Sequence, residues 1–571
     1  MTLSQPLGSS VQTAPEWWRS AVVYQIYPRS FVDGNGDGIG DLRGIRSRLD
    51  HLQRLGVDVI WLSPIYRSPQ ADNGYDISDY QDIDPLFGTM DEFRELLADV
   101  HARGMKLVMD LVVNHTSDEH PWFVESRSST DSPRRDWYWW RPARDGFAAG
   151  EKGAEPTNWE SFFSGSTWQL DERTGEYYLH LFDRKQPDLN WENPEVRQAV
   201  YAMMRWWLEL GVDGFRMDVI NLISKDVALP DGVADPVTGL GDGFAHYAHG
   251  PRLHEFLQEM HREVFEGRGD LITVGEMPGV TTDEALLLTD PARDELDMVF
   301  QFEHVGLDHG ADKFHPVPIA PGRLAESLTR WQDALGAKGW NSLYLSNHDQ
   351  PRAVSRFGDD AAHWRASATA LATMLHLLRG TPYIYQGEEI GMTNMPFAGI
   401  DDLRDVESIN HYAKATELGQ VAAEVLDGIR HSGRDNARTP VQWDASAEAG
   451  FTTGTPWIAV NPNHAWLNAA AQYDDPDSVF AYYRRLIALR HARPVVALGS
   501  FRRLELGGVG VFAYEREHEG DRLLVLANLS GTPSTIELPE EWADAEQVLD
   551  NLGAASDAAV LRPWEARVLA R

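Results

Sequence analysis

The sequence contains no cysteine, so the folded chain can form neither a disulfide bond nor a thiolate metal site. It has no run of about 20 apolar residues and no basic segment followed by an apolar one at its start, which argues against a membrane span and a signal peptide. The missing thiols also suit a reducing compartment. We therefore expect a soluble, cytoplasmic protein that is stabilised by packing.

Basic residues are scarce: 51 Lys and Arg stand against 87 Asp and Glu, a formal net charge of −36. This charge disfavours nucleic acid or an anionic membrane as a partner. The Gly-rich run at 33–41 (DGNGDGIGD) is not a nucleotide loop. The 20 Trp, 18 Tyr and 21 Phe of this acidic chain are typical of sugar-handling proteins, although core packing explains most of them. We expect a small-molecule ligand, neutral or cationic.

Apolar runs alternate with amphipathic helical patterns through the first 385 residues, which predicts buried parallel strands joined by helices such as 90–103. Eight such units favour an α/β fold, a closed (β/α)8 TIM barrel. The predicted barrel comprises residues 1–114 and 186–491. Its predicted strands are 22–27, 57–62, 106–113, 212–217, 271–275, 298–302, 342–345 and 383–385.

Two stretches interrupt the alternation. Residues 115–185 follow the third strand and are polar and aromatic, and because a structureless loop of that length is rare, we predict an inserted subdomain. An excursion at 386–457 follows strand eight and precedes the last barrel helix at 478–491. Short alternating strands from residue 492 predict a C-terminal antiparallel β-sandwich domain, 492–571.

Charged and polar side chains follow four of the predicted strands. Functional groups of a strand-helix barrel lie where its strands end. One such residue alone is best explained as a buried, paired structural group, but four strand ends in sequence order favour a shared site. These groups are Asp110 and His115 after strand three, Arg216 and Asp218 after strand four, Glu276 after strand five, and His348 and Asp349 after strand seven.

This set suits cleavage of a glycosidic bond with retention, which needs a carboxylate nucleophile and a protonated carboxyl about 5 Å apart. We expect Arg216 to lower the pKa of Asp218 and keep it ionised. Glu276 follows apolar residues, so we expect a raised pKa that suits a general acid. His115, His348 and Asp349 would then hydrogen-bond sugar hydroxyls.

Several motifs carry a family resemblance. Segments 110–115 (DLVVNH), 214–218 (GFRMD), 275–276 (GE) and 346–349 (SNHD) resemble the four ordered motifs of the α-amylase superfamily of glycoside hydrolases (family 13). Segments 186–190 (QPDLN), 24–31 (YQIYPRSF) and 432–440 (SGRDNARTP) further resemble its oligo-1,6-glucosidase branch. The likeness covers nearly the whole chain.

The resemblance implies Asp218 as nucleophile, Glu276 as acid/base and Asp349 as stabiliser of the transition state. It also implies a closed pocket, and hence exo action on short oligosaccharides. Phe162 competes with its neighbour for one place in this pocket, and a core role for that neighbour is the alternative. The implied pocket residues are Asp72 with its partner Arg434, Tyr75 as a stacking face, and Phe163, Phe182 and Gln186.

The sequence thus indicates an exo-acting retaining α-glucosidase. Val219, the residue after the proposed nucleophile, resembles members that prefer α-1,6 bonds, although a plain barrel-core valine is the competing interpretation. Alternatives are an α-1,4-preferring α-glucosidase, a glucosyl-transferring enzyme or sucrose isomerase, and an inactive scaffold relative. Residues 350–357 (QPRAVSRF) resemble hydrolases more than isomerases. The oligomeric state is not predictable from these patterns.

The acidic loop at 33–41 has spacing similar to a Ca²⁺-binding EF-hand loop, but its twelfth position is Gly44 rather than glutamate. A hydrogen-bonded turn without a metal is the alternative. The resemblance implies a structural Ca²⁺ or Mg²⁺ ion here. Its ligands would be Asp33, Asn35, Asp37, Asp41 and the carbonyl of Ile39.

Overall fold

The computed structural model describes residues 16–269, 271–336, 338–553 and 557–571. Eight parallel strands form one sheet in the order β6-β5-β4-β3-β2-β1-β8-β7. A parallel bridge between Val299 and Asn341 joins the two end strands and closes the barrel. The predicted (β/α)8 fold is therefore confirmed. The strands are β1 Val23–Ile26, β2 Val59–Leu62, β3 Lys106–Val112, β4 Gly214–Asp218, β5 Ile272–Glu276, β6 Met298–Phe300, β7 Ser342–Leu343 and β8 Thr381–Tyr385.

Helices surround these strands and have clear sequence signals at their ends. Helix Met90–Ala102 begins with a capping box between Thr89 and Glu92. Helix Pro194–Leu210 has Asn193 as its N-cap and ends at Gly211, whose φ of 108° suits glycine. Further helices of the barrel are Leu42–Ser47, Leu49–Leu55, Leu253–Met260, Thr282–Leu288, Arg323–Leu335, Trp364–His376 and Val479–Ala492.

The barrel interior is a packed apolar layer beneath the strand ends. Trp61, Phe300, Tyr344 and Tyr383 are buried there with valines of neighbouring strands. Because successive side chains of a strand point to opposite faces, the alternate residues pack outward against the helices. The interior is therefore filled, and polar side chains collect above it.

The segment after β3 has its own secondary structure. Helix Pro121–Ser126 is followed by a three-stranded antiparallel sheet, in which Glu176–Leu179 lies between Trp140–Arg141 and Trp168–Asp171. Its core includes the buried Trp159. The segment after β3 thus has a fold of its own, as its length and composition predicted. The residue boundaries given above for the domains stay predictions.

The excursion after β8 contains helices Val406–Glu417, Ala422–Ser432 and Asp435–Arg438. The C-terminal region is a five-stranded antiparallel sheet beside a two-stranded one (Ser534–Thr535 and Val560–Leu561). Its five strands, in sheet order, are Ser500–Leu504, Val511–His518, Asp521–Asn528, Ala566–Ala570 and Glu546–Asp550. No helix among the described residues is long and apolar enough to cross a membrane.

Candidate active site

One buried guanidinium lies among three carboxyl groups at the ends of β3, β4 and β5. Arg216 Nη1 is 2.9 Å from Asp110 Oδ1 and 2.7 Å from Asp218 Oδ1. Its Nη2 is 2.5 Å from Glu276 Oε1. Parallel pairing places these strands side by side, with Asp110 opposite Arg216 in the register. The structure therefore brings the proposed nucleophile and acid/base to one arginine.

The structure corrects the expected effect of Arg216 on Asp218 and the expected surroundings of Glu276. Burial raises the pKa of the Asp218 carboxyl well above its usual value, and the adjacent Glu276 raises it further, so Arg216 offsets only part of the shift. Glu276 does not lie in apolar surroundings either, because Arg216 contacts one oxygen and the Val219 N–H donates to the other at 3.1 Å. Both expectations considered only neighbours in the sequence. The Asp218 carboxyl therefore binds a proton more tightly than an ordinary aspartate does.

Asp349 lies opposite this cluster, after β7, and is held by two arginines. Arg438 Nη2 donates to its Oδ1 at 2.7 Å, and Arg434 Nη1 approaches the same oxygen at 3.4 Å. Burial acts to raise the pKa of Asp349, but His348 and these arginines outweigh it and hold the pKa far below its usual range. Asp349 is therefore ionised at neutral pH.

His348 is fully buried between the barrel and the pocket. Its Nδ1 is 2.8 Å from Gln25 Nε2, and its ring stacks on Tyr75 with centroids 5.0 Å apart. Tyr75 also donates its hydroxyl to Asp110 Oδ2 at 3.0 Å. Burial lowers the pKa of His348 to about 3, so its ring is neutral. Tyr75 is thus fixed with one face on His348.

The predicted pocket residues Asp72, His115, Gln186 and Arg434 form one buried network. Arg434 Nη2 donates to Asp72 Oδ1 at 3.1 Å, and Gln186 Nε2 donates to the other oxygen at 3.3 Å. Gln186 Nε2 also lies 3.2 Å from His115 Nε2. Burial raises the pKa of Asp72 to about 7 despite Arg434 and Arg438. Burial lowers the pKa of His115 to about 4, so this histidine is neutral.

An aromatic wall adjoins this network. The guanidinium carbon of Arg434 lies 4.9 Å from the ring centroid of Phe163. Phe182 packs edge-on against Phe163 at 5.6 Å and lies 5.2 Å from the His115 ring. Phe162 stacks on Phe182 and is 38% exposed. Of the two candidates, Phe163 is therefore the one that contacts the pocket arginine.

Val219 adopts a left-handed backbone conformation, with φ 35° and ψ 42°. A β-branched residue rarely takes this conformation, because its side chain clashes with the backbone. Its side chain is 8% exposed and packs in an apolar cluster with Leu222, Tyr247 and aromatic residues of the inserted segment. Val219 therefore lies between the barrel and the insertion and not among the interior barrel residues.

Sequence reasoning missed three residues of this region. Arg438 contacts Asp349 and stands one helical turn after Arg434, a spacing that could have revealed it. Asp405 Oδ1 accepts from Arg434 Nε at 2.8 Å and has no motif around it. Lys225 is fully buried, with its Nζ 2.9 Å from Asp188 Oδ2 and 3.0 Å from Asn114 Oδ1. Lys225 ties the QPDLN segment to the end of β3.

The acidic loop offers only oxygen ligands, which suit a hard cation such as Ca²⁺ or Mg²⁺. Asp33, Asp37 and Asp41 each accept hydrogen bonds from backbone N–H groups of the loop or the turn after it. Burial acts to raise the pKa of Asp33, but hydrogen bonds from Thr452 and the backbone outweigh it and lower the pKa. In the described part of the chain, no three His, Cys, Asp or Glu side chains stand together as a metal-binding group. The cation stays a prediction.

Comparisons with known proteins agree with this geometry. Residues 25–499 match the family model of the alpha amylase catalytic domain, and 511–568 match that of the alpha-amylase SusG C-terminal domain. The oligo-1,6-glucosidase of Parageobacillus thermoglucosidasius is 56% identical over 560 residues, 97% of this chain and 98% of the relative. The trehalose-6-phosphate hydrolase of Bacillus subtilis is 50% identical over 97% of this chain and 98% of its own. Among solved structures, the trehalulose synthase MutB of Pseudomonas mesoacidophila matches with a TM-score of 0.92 and 45% identity, covering 98% of this chain and 99% of that one.

Proposed function

Because the chain belongs to the alpha-amylase family of glycoside hydrolases, we propose that it is an exo-acting retaining α-glucosidase that prefers α-1,6 bonds in short oligosaccharides. The observation that carries this proposal is the pairing of Asp218 and Glu276 on one guanidinium, opposite the ionised Asp349. A retaining mechanism requires two adjacent carboxyl groups in different protonation states.

In the proposed mechanism Asp218 attacks the anomeric carbon while Glu276 donates its proton to the leaving glycosidic oxygen. The C–O bond breaks, and a glucosyl ester forms on Asp218. Glu276 then removes a proton from water, which attacks the same carbon and releases glucose with retention. The reactive state has the pair's proton on Glu276, and in that state the charge of Asp218 keeps its 2.7 Å contact with Arg216.

The exo preference is supported by the buried pair of Asp72 and Arg434. Asp72 and Arg434 are buried and paired, and Phe163 covers the arginine. These buried groups can hydrogen-bond the hydroxyls of a terminal glucose, as an enzyme that acts on chain ends requires. The preference for α-1,6 bonds is supported by Val219 beside the nucleophile and by the names of the oligo-1,6-glucosidases that share about half of this sequence or more.

A substrate panel tests the proposal directly. Glucose release is measured from isomaltose, panose, maltose, sucrose, trehalose, kojibiose and trehalose 6-phosphate, and the anomer of the first product is followed by NMR. We expect the highest kcat/KM on isomaltose or panose, with α-glucose formed first, and a loss of about 10³-fold or more in Asp218→Asn. Full activity of that variant would refute the mechanism. Conversion of sucrose to an isomer, or a preference for trehalose 6-phosphate, would favour one of the other activities named among the relatives.

A further inference from the structure

A buried amide joins the two loops that follow β4 and β5. Asn221 lies three residues after Asp218, and its side chain is excluded from solvent. Its Nδ2 donates to the carbonyl oxygen of Pro278 at 2.8 Å, two residues after Glu276. The amide thus links the loop of the nucleophile to the loop of the acid/base.

The orientation of this amide follows from its partners. Pro278 offers only a carbonyl oxygen, so the nitrogen of Asn221 must face it. The second N–H points to His249 Nε2 at 2.9 Å. In the His249 tautomer that carries its proton on Nδ1, Nε2 accepts this N–H. The His249 backbone N–H donates to the backbone carbonyl of Asn221 at 2.9 Å, which holds the imidazole beside the amide. Both hydrogens of the amide are therefore used.

The hydrogen bond between Asn221 and Pro278 lies just beyond the point where β4 and β5 stop pairing. Pairing between β4 and β5 runs only as far as Met217 opposite Gly275, so Asp218 and Glu276 lie just past the last paired residues. Beyond that point the described hydrogen bonds on this side are Val219 N–H to Glu276 and Asn221 to Pro278. On its other side, β5 stays paired with β6 through Glu276 and Phe300.

From this arrangement we propose that Asn221 is a positioning residue for the acid/base carboxyl. It holds the backbone after Glu276 at a fixed distance from the nucleophile loop, so that the carboxyl stays aimed at the leaving oxygen. The inference rests on the proposed function and adds a residue that touches neither the substrate nor the reacting atoms. A misplacement of about 1 Å at such a site costs about 10²-fold in rate.

The test uses Asn221→Asp, which keeps the size of the side chain and removes both N–H donors. The matched control is Asn528→Asp, an equally buried asparagine of the C-terminal sheet whose Nδ2 donates to the carbonyls of Thr532 and Arg562. The readout is kcat/KM for isomaltose and for a nitrophenyl α-glucoside. Nitrophenolate, the leaving group of the second substrate, departs with little help from an acid. For both substrates, kcat/KM reports only the steps up to formation of the glucosyl-enzyme.

We expect Asn221→Asp to lose about 10²-fold on isomaltose and less than about 5-fold on the aryl glucoside. Asn528→Asp should keep both values. Equal losses on both substrates, or no loss, would overturn the inference, because a residue that only stabilises the fold does not distinguish leaving groups. If Asn221→Asp fails to fold, Asn221→Ser is tested in its place, and the loss of kcat/KM on isomaltose is again compared with the loss on the aryl glucoside. A wild-type protein that cleaves no α-glucoside would refute the proposed function instead.

Discussion

The side chain of Val219 lies beside the nucleophile and helps to form the apolar boundary between barrel and insertion. Val219→Thr keeps the branched shape and adds a hydroxyl to this boundary. We expect the ratio of kcat/KM for isomaltose to that for maltose to fall by about 10-fold, within the ~1 to 3 kcal/mol that such pocket contacts deliver. Val509→Thr, at an exposed site of the C-terminal region, is the control. An unchanged ratio would show that Val219 does not set the linkage preference.

Glu388 is a buried carboxyl just after β8, where it accepts from the hydroxyls of Ser346 and Tyr483. Burial raises its pKa from 4.5 to about 7. The folded state therefore binds the proton more tightly, so its contribution to stability is complete below about pH 4.5 and is lost as the pH rises to about 7. This contribution is on the order of 3 kcal/mol, since each unit of pKa corresponds to about 1.4 kcal/mol.

Glu388→Gln, which stays neutral, should reduce the fall in the free energy of unfolding between pH 5 and pH 8, measured by urea titration. Asp72 and Asp297 have pKa values raised in the same direction and should leave part of the fall in place. The exposed Glu505→Gln serves as the control. An unchanged pH dependence in Glu388→Gln would contradict the expectation.

At this scale the sequence predicted which residues meet but not how their charges combine. Motif order was sufficient to place Asp218 and Glu276 at the ends of two neighbouring strands and Asp349 after a strand of the same barrel. The pKa of Asp218 depends on burial and on Glu276, which is 58 residues away in the chain, and neighbours in the sequence carry no information about either. Asp405 was missed for a similar reason, because only the folded excursion brings it to Arg434.

At the scale of single elements, we predict that the acidic loop at 33–41 binds a divalent cation. If the free cation concentration is about 100 times its Kd, removing the cation should lower the free energy of unfolding by about 2.7 kcal/mol. The Tm should then fall by about 2 °C or more. The measurement is thermal unfolding with and without EDTA, together with metal analysis of the untreated protein. Asp37→Ala should abolish the response, whereas the exposed Asp474→Ala should retain it. Absence of bound metal, with no effect of EDTA, would rule out the site.

The barrel strands were predictable because a parallel strand buried on both faces is a nearly continuous apolar run. Each predicted strand overlaps an observed one, and the ends differ by up to two residues, as in β4, which begins at Gly214 and extends to Asp218 itself. The sheet of the insertion was not predicted, since its strands of two to four residues carry no clear alternation.

At the scale of the whole molecule, Arg516 is one of the residues that join the C-terminal sheet to the barrel. Arg516 is fully buried, and its guanidinium donates to the carbonyls of Val496, Gly499 and Ser500 at 2.8 to 2.9 Å and to that of Leu377. Arg516→Met would leave these carbonyls without a donor. We expect a loss of about 3 kcal/mol or more in stability, measured by urea denaturation.

The control for this change is Arg502→Met on the adjacent strand, where the side chain is 61% exposed and pairs with Glu515. Such a pair contributes about 1 kcal/mol or less. Equal effects of the two substitutions would show that Arg516 does not anchor the sheet. The sequence predicted the C-terminal region as antiparallel β structure, but its docking could not be inferred, because the carbonyls that Arg516 meets carry no side-chain signal.

The pairing of the first barrel strand with the last has a consequence for how the protein folds during its synthesis on the ribosome. Val23 lies opposite Tyr383 in the register, a separation of 360 residues (383 − 23). At about 5 to 20 residues per second, a ribosome needs about 20 to 70 s to make the intervening chain. During that interval β1 has a partner on one side only, so the growing barrel exposes an open edge until β8 emerges. Translation, and not diffusion of the finished chain, then sets the earliest moment at which the barrel can close.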